Sequence, residues 1–265
     1  IDSATKEVEL ALNKYPSSLP DKVVLVLVES WGISATAPFK ELIVAPFSSE
    51  PIRKRYMVRQ GRVPFKGSTV AAELRELCGI QAGFRESLLD SRTLGLCLPS
   101  RFLQAGYATT AIHGFKRTMF DRHLWYANIG FQQQFFKENW PTDSDPHLCG
   151  SLFVGVCDTD AGALVHRELL YGPPKHFIYW LTLDSHLQFD GKSRPKCNAQ
   201  IPMALCGLSL DLETVTKVVK DIAMDPLIPR TRFVIVGDHP PPFLEPELRR
   251  HFSTSYVPFV ELIPR

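Results

Sequence analysis

The chain has no excess of charge of one sign, no internal repeat and no low-complexity linker. Its 265 residues include 30 lysine and arginine side chains against 28 aspartate and glutamate, a net charge of +2. A nucleic-acid-binding surface calls for a basic excess, so this balance argues against a nucleic-acid partner. With 45% hydrophobic and 22% charged residues, the composition excludes a disordered chain, a collagen-like repeat and a coiled coil.

Long hydrophobic runs are also missing. The longest, such as residues 23–28, are far short of the ~20 apolar residues that a membrane-spanning helix needs. No basic-then-apolar leader is present, and the chain begins at Ile1 rather than at a methionine. We therefore expect a processed product or an excised part of a longer protein.

Zinc motifs built on thiolates are absent, although the chain has six cysteines. An even count is compatible with three disulfides in an oxidising compartment, and buried free thiols in a cytosolic protein are the alternative. Six cysteines allow many pairings. Short-loop bridges would join sequence neighbours: Cys78 with Cys97, Cys149 with Cys157, and Cys197 with Cys206.

Apolar, β-branched runs alternate with helix-like stretches along the chain. Strands are predicted over residues 23–28, 107–112, 177–182 and 232–236, and helices over 70–77, 99–105, 160–170 and 212–223. This alternation predicts an α/β fold with a mainly parallel central sheet flanked by helices, in one domain spanning 1–265. Segments 141–151 and 188–206 are predicted to be surface loops.

Each predicted strand leads into acidic or imidazole side chains. In chain order these are Glu29, His113, Asp184 with His186, and Asp238 with His239. Ligands bind beyond the carboxyl ends of parallel strands, so these side chains are expected at one edge of the sheet. Oxygen and nitrogen ligands without thiolate suit Zn²⁺ or Mn²⁺. We expect Glu29, Asp238 and His239 to bind one divalent metal, and His113 and His186 to be further ligands or substrate contacts.

Thr69 is the candidate nucleophile. It lies in a Gly67-Ser68-Thr69 turn that feeds a helix-forming run, where the helix N-terminus favours an anion such as phosphate. The alternative is an ordinary helix N-cap. A metal bound to the hydroxyl would lower its pKa and activate it, so this hypothesis depends on the metal site.

The order and spacing of these motifs resemble the alkaline phosphatase/sulfatase superfamily. Within it, the chain resembles membrane-anchored phospho-alcohol transferases: lipoteichoic acid synthases, glucan phosphoglycerol transferases and lipid A phosphoethanolamine transferases. The resemblance extends over residues 22–260 and rests on Val26-Leu27-Val28-Glu29-Ser30, Gly67-Ser68-Thr69 with Glu73, His113-Gly114 … Met119-Phe120-Asp121-Arg122 … Tyr126 … Gly130-Phe131 … Phe135-Phe136, Thr182-Leu183-Asp184-Ser185-His186 and Gly237-Asp238-His239.

The resemblance implies a metal-dependent transferase that moves a phosphoethanolamine or phosphoglycerol group to a glycan or lipid acceptor. The implied donor is phosphatidylethanolamine or phosphatidylglycerol, and the implied intermediate is a phospho-threonine. The implied metal ligands are Glu29, Thr69, Asp238 and His239; the implied substrate contacts are His113, Arg122, Phe120 and His186, with His186 also moving the leaving-group proton. An extracytoplasmic location is implied, at the periplasmic face of a bacterial inner membrane and anchored by a segment outside this chain.

The sequence motifs do not distinguish a phosphoglycerol from a phosphoethanolamine head group. Phe120 stands where the synthases have Trp, and Phe115 stands where a polar residue is expected, whereas the spacing of Cys149 and Cys157 resembles the short disulfide loops of phosphoethanolamine transferases. The alternative function is a hydrolase, a phosphodiesterase or sulfatase, in which water replaces the acceptor at the same metal site. A sulfatase is considered because Cys97-Leu98-Pro99-Ser100-Arg101 fits the sulfatase C-x-P-x-R pattern. Against a sulfatase, Glu29-Ser30 stands where sulfatases carry paired aspartates. A degenerate binding module is disfavoured because all four implied metal ligands are present.

Overall fold

The computed structural model describes residues 2–34, 44–81, 91–143, 145–186 and 202–265. The strands in these ranges are β1 (Lys22–Val28), β2 (Tyr56–Pro64), β3 (Ala108–His113), β4 (Gln133–Phe135), β5 (Leu148–Cys149), β6 (Gly155–Val156), β7 (His176–Leu181), β8 (Thr231–Gly237) and β9 (Tyr256–Pro264). The α-helices in the same ranges are α1 (Lys6–Lys14), α2 (Glu50–Arg55), α3 (Thr69–Cys78), α4 (Ser91–Leu96), α5 (Leu98–Gln104), α6 (Arg122–Asn128), α7 (Asp158–Tyr171), α8 (Met203–Met224) and α9 (Pro246–Arg249).

Seven strands form one sheet in the order β2-β9-β8-β1-β7-β3-β4. The five strands from β8 to β4 run parallel, and β9 is antiparallel to both of its neighbours. Strands β5 and β6 form a separate antiparallel hairpin. The predicted α/β fold with a mainly parallel sheet is therefore confirmed.

Both faces of the sheet are covered, which explains why the central strands are apolar throughout. Alternate side chains of a strand point to opposite faces of the sheet. Since both faces are covered here, every residue of β1 is buried. Val24 and Val26 pack with α7 and α8 in one core, and Val23 and Leu25 pack with α3, α5 and α6 in the other.

The four predicted strands and four predicted helices are all present, with shifts at their ends. Strand β3 extends to His113, so this histidine is the last residue of the strand rather than the first residue after it. The predicted helix over 212–223 is part of the longer α8, which begins at Met203. The predicted loop 188–206 is therefore wrong over 203–206, and its part over 188–201 lies outside the described residues.

The antiparallel edge was not predicted from sequence. Strand β9 contains Pro258 and the buried Glu261, whose carboxylate contacts Arg232 at 2.7 Å and Arg59 at 2.6 Å. A segment that contains a proline and a buried acid does not show the apolar pattern that predicts a strand, and the two arginine partners of Glu261 make its burial possible.

The structure settles two of the three candidate disulfides. Cys78 is bonded to Cys97, and Cys149 to Cys157. Cys206 is also disulfide-bonded, whereas Cys197 lies outside the described residues. Free thiols are therefore wrong for the cysteines in the described ranges. In the same ranges, we find no helix whose length and apolar character would let it cross a membrane.

Candidate metal centre and active-site groove

Two carboxylates and one imidazole meet at the carboxyl edge of the sheet. Glu29 directly follows β1, and Asp238 and His239 directly follow β8. These strands are parallel neighbours in which Val28 is paired with Gly237, so the residues that follow them lie side by side. One potential ligand atom from each of the three side chains lies within 4.8 Å of the other two.

Hydroxyl groups from two loops hold Glu29 in place. Its backbone N–H donates to Thr182 Oγ1 at 2.9 Å, and Ser185 Oγ donates to its carbonyl oxygen at 2.6 Å. Ser30 Oγ donates to Glu29 Oε1 at 3.0 Å. Ser30 has a φ of +56°, a left-handed conformation that is costly for a residue other than glycine and that clusters at functional sites.

The carboxylate of Asp238 is anchored by one oxygen only. Its Oδ1 accepts hydrogen bonds from the backbone N–H groups of Ser30 at 2.8 Å and His239 at 2.5 Å. Its Oδ2 is buried and has no hydrogen-bond partner, although it lies 3.1 Å from His239 Nε2. The imidazole Nδ1 donates to Pro240 O at 2.9 Å, so Nε2 is the nitrogen that faces the two carboxylates.

The electrostatics of this cluster favour a bound cation. Burial, reinforced by the neighbouring Glu29 carboxylate, raises the pKa of Asp238 to about 8. Burial alone would lower the pKa of His239, but the charges of Asp238 and Glu29 outweigh it and raise that pKa. A divalent ion would supply the positive charge that these buried groups lack and would satisfy the unpartnered Asp238 oxygen. The donor set therefore fits the predicted metal.

The hydroxyl of Thr69 points into the same cluster. Thr69 Oγ1 lies 3.2 Å from Glu29 Oε2 and 3.4 Å from His239 Nε2. The N-cap of α3 is Ser68, and Thr69 is the first residue within the helix. The interpretation of Thr69 as an ordinary N-cap is therefore wrong, and its hydroxyl faces the candidate metal ligands.

A groove of about 540 Å³ opens over Thr69 and His239. The predicted substrate contacts His186 and Phe120 line its wall, together with Arg249. Phe120 has a φ of +56° and is 42% exposed, so a large apolar ring is held on the groove by a strained backbone. Arg249 was not predicted from sequence because the segment Leu248-Arg249-Arg250-His251 carries no recognisable motif.

The other two predicted substrate contacts lie in the protein interior beside the groove. His113 is buried, and its Nδ1 donates to Leu181 O at 3.1 Å. Burial lowers its pKa well below the ordinary value, and the nearby positive charge of Arg122 lowers it further. His113 is therefore a neutral imidazole with a fixed tautomer at neutral pH.

Arg122 is engaged by a partner that the sequence did not reveal. Its Nε lies 3.1 Å and its Nη2 3.1 Å from Glu73 Oε2. The hydroxyls of Tyr126 and Tyr179 also donate to Glu73. Glu73 belongs to the motif that carries the family resemblance, but only the fold shows that it is the counter-ion of Arg122.

The cysteine that matches the sulfatase pattern is not available as a nucleophile. Cys97 forms a disulfide with Cys78 and is the N-cap of α5. A sulfatase reaction on Cys97 requires a free side chain at that position, so the disulfide argues against a sulfatase.

Solved structures with the same fold cover nearly the whole chain. The lipoteichoic acid synthase LtaP from Listeria monocytogenes matches 98% of this chain and 71% of its own, with a TM-score of 0.65 and 15% sequence identity. The phosphoglycerol transferase GacH from Streptococcus pyogenes, solved with sn-glycerol-1-phosphate, matches 97% and 75%, with a TM-score of 0.63 and 12% identity.

A third match is the soluble domain of lipooligosaccharide phosphoethanolamine transferase A from Neisseria meningitidis. It covers 92% of this chain and 76% of its own, with a TM-score of 0.55 and 13% identity. No protein-family model and no curated protein matches the sequence. At such low identities the likeness establishes the fold: the chain has the α/β fold of the alkaline phosphatase superfamily, as its motifs predict.

Proposed function

We propose that the chain is a metal-dependent transferase that moves a phosphoglycerol or phosphoethanolamine group from a phospholipid to a hydroxyl of a glycan or lipid acceptor. The observation that carries this proposal is the position of the Thr69 hydroxyl. It lies within 3.4 Å of both Glu29 and His239 on the floor of an open groove. A hydroxyl between metal-ligating groups and a substrate groove is suited to act as a nucleophile.

Glu29, Asp238, His239 and Thr69 would hold one Zn²⁺ or Mn²⁺ ion. When bound, the ion supplies a Lewis acid that lowers the pKa of the Thr69 hydroxyl and neutralises charge on the phosphoryl oxygens. Asp238 and Glu29 are fixed by the hydrogen bonds described above, so the ligands are arranged before substrate binds. This arrangement lowers the cost of reorganising the site during the reaction.

The proposed reaction has two steps. In the first, a bond forms between Thr69 Oγ and the phosphorus of the donor, and the bond from phosphorus to the lipid glycerol oxygen breaks. The proton of Thr69 passes to that oxygen, which leaves as diacylglycerol, with His186 in the groove wall as the group that moves the proton. In the second, the acceptor oxygen forms a bond to the phosphorus held on Thr69, the bond between that phosphorus and Thr69 Oγ breaks, and the acceptor proton passes to Thr69 Oγ.

The surroundings of the site support an anionic substrate and an oxidising location. Arg249 is an exposed cation on the groove wall and is suited to a phosphate oxygen. The two disulfides within the described residues are typical of extracytoplasmic proteins. We therefore propose that the chain acts outside the cytoplasm, at the periplasmic face of a bacterial inner membrane.

Mass spectrometry of the Thr69 peptide tests the proposal directly. The protein is incubated with Mn²⁺ or Zn²⁺ and with phosphatidylglycerol or phosphatidylethanolamine, and the added mass names the transferred group. We expect modification of Thr69, its loss after chelation, and its removal when a glycan acceptor is added. Removal of the group by water alone would identify a phosphodiesterase instead.

Two substitutions at one position provide the control. Thr69→Ala removes the nucleophile, and we expect no modification and no turnover, with an unchanged melting temperature. Thr69→Ser keeps a hydroxyl and retains part of the activity. Wild-type turnover in Thr69→Ala would refute the proposal.

A further inference from the structure

Apolar side chains are exposed on a hairpin beside the active-site groove. Strands β5 and β6 flank a tip in which Leu152 is 62% exposed and Val154 is 37% exposed. Exposed aliphatic side chains that form a patch mark a surface that binds another protein or a membrane.

The hairpin is fixed to the body of the protein, so its exposed tip is part of the folded structure. The Cys149–Cys157 disulfide closes its base. Val156 N–H donates to Gly114 O at 2.8 Å, and Lys137 Nζ donates to Val154 O at 2.7 Å. A Cβ at Gly114 would lie 2.3 Å from Val156 O, so this close backbone contact requires glycine.

The exposed tip is continuous with the catalytic groove. A second groove, of about 420 Å³, is lined by Leu152, Phe153 and Met119, and Met119 also lines the groove above Thr69. The ring of Phe153 packs on His186 with 3.9 Å between the ring centroids. An apolar path therefore leads from the hairpin tip to the proposed nucleophile.

Cationic side chains border this path. Lys116 and Arg117 are exposed, and Lys116 lines the second groove. Within the part of the chain that the structure describes, neither forms an ion pair. The nearby acids are Glu138, which accepts from the Arg117 backbone N–H at 3.1 Å, and the exposed Asp121.

We propose that Lys116, Arg117, Leu152, Phe153 and Val154 form a lip that binds the surface of a bilayer containing anionic phospholipid. Exposed aliphatic groups beside unpaired cations are the combination that binds such a surface, because the apolar groups enter the acyl-chain boundary and the cations contact lipid phosphates. The role of this lip in catalysis rests on the proposed function. A lip beside the groove brings the head group of a phospholipid to Thr69 while the acyl chains of that lipid stay in the bilayer.

Vesicle co-sedimentation tests the lip without reference to catalysis. The protein is mixed with phosphatidylcholine vesicles that contain or lack phosphatidylglycerol. We expect binding to the anionic vesicles, weakened by salt, and a loss of roughly tenfold or more in Leu152→Asp/Val154→Asp, because two inserting side chains become charged. Lys116→Glu/Arg117→Glu is expected to remove the preference for anionic vesicles. Equal binding by these variants and the wild type would overturn the proposal.

Leu227→Asp is the matched control. Leu227 is 74% exposed in the loop before β8, at the edge of the sheet opposite the site, so this variant is expected to bind vesicles as the wild type does. Melting temperatures confirm that the variants are folded. If the lip instead joins two copies of the chain, Leu152→Asp/Val154→Asp changes the sedimentation coefficient and leaves vesicle binding intact, which also overturns the proposal.

The failure of this inference is distinguishable from the failure of the proposed function. Modification of Thr69 is measured with a monomeric short-chain donor and with vesicles. We expect Leu152→Asp/Val154→Asp to react normally with the first and poorly with the second. A normal rate with vesicles refutes the lip alone. Loss of vesicle binding in that variant, in a protein whose Thr69 is never modified, refutes the proposed function and supports the lip.

Discussion

The buried ion pair between Glu73 and Arg122 gives the sharpest stability prediction. Both side chains are almost completely buried, at 0% and 2% exposure. Burial by itself would lower the pKa of Arg122, but the Glu73 carboxylate, together with Tyr126 and Tyr179, outweighs it and raises that pKa. Burial, together with the Glu73 charge, raises the pKa values of Tyr126 and Tyr179 well above normal. Both phenols therefore remain neutral hydrogen-bond donors to Glu73.

This arrangement predicts unequal costs for removing the two partners. Glu73→Gln keeps the shape of the side chain but leaves a guanidinium buried without a counter-ion, which costs about 3–5 kcal/mol in the free energy of unfolding. Arg122→Met leaves a carboxylate that still has two phenol donors and can take up a proton, so we expect a smaller loss of about 1–3 kcal/mol. The double variant buries no charge, so its loss is expected to be smaller than the sum of the two single losses by about 2 kcal/mol.

Urea denaturation followed by circular dichroism measures these losses, with equal m-values as the check that the unfolding transition stays comparable. Because Glu73 lies one helical turn after Thr69, we also expect a lower rate of Thr69 modification in Glu73→Gln at a temperature where the variant is fully folded. Equal losses in the two single variants, or additive losses in the double variant, would refute the assignment of Glu73 as the essential counter-ion.

Two further predictions concern acid stability and the hairpin. Burial and the nearby charge of Lys22 lower the pKa of His176 to about 4, so its stabilising effect is complete above about pH 6.5 and is lost as the pH falls toward 4; between pH 7 and pH 5 we expect a loss of about 2 kcal/mol by urea denaturation. His176→Gln is expected to abolish this part of the pH dependence, and an unchanged dependence would refute it. Replacing Cys149 and Cys157 by alanine is expected to cost about 2.5 kcal/mol from loop closure, measured by calorimetry, whereas an unchanged melting temperature would show that packing alone holds the hairpin.

The position of the candidate metal ligands could be predicted because it follows from topology. Parallel strands end at one edge, and Glu29, Asp238 and His239 each come directly after a strand with an unbroken apolar run. The sequence does not say that β1 and β8 are neighbours, since the two strands are separated by most of the chain. Their adjacency follows from the packing of the whole sheet, and it brings one potential ligand atom from each of the three side chains within 4.8 Å of the other two.

The partners of buried charges could not be predicted in the same way. Arg122 is recognisable as a cation near the site, but its counter-ion is 49 residues earlier in the sequence and no local pattern links the two. Glu261 shows the same problem in β9, where two arginines satisfy a buried carboxylate. Pairs of this kind depend on long-range contacts, whereas strands and helices are indicated by short-range periodicity.

The contacts of α3 explain how the candidate nucleophile is held against the candidate metal ligands. Arg75 on this helix donates from Nη2 to Gly237 O at 2.9 Å, and Gly237 directly precedes the candidate metal ligand Asp238. The last residue of the helix, Cys78, is tied to Cys97 by a disulfide. Helix α3 is thus hydrogen-bonded to β8, which leads directly into Asp238 and His239, and is also fixed at its far end. Because small displacements of a nucleophile are costly to catalysis, this direct link between helix and strand is the feature of the fold that keeps Thr69 Oγ1 beside Glu29 and His239.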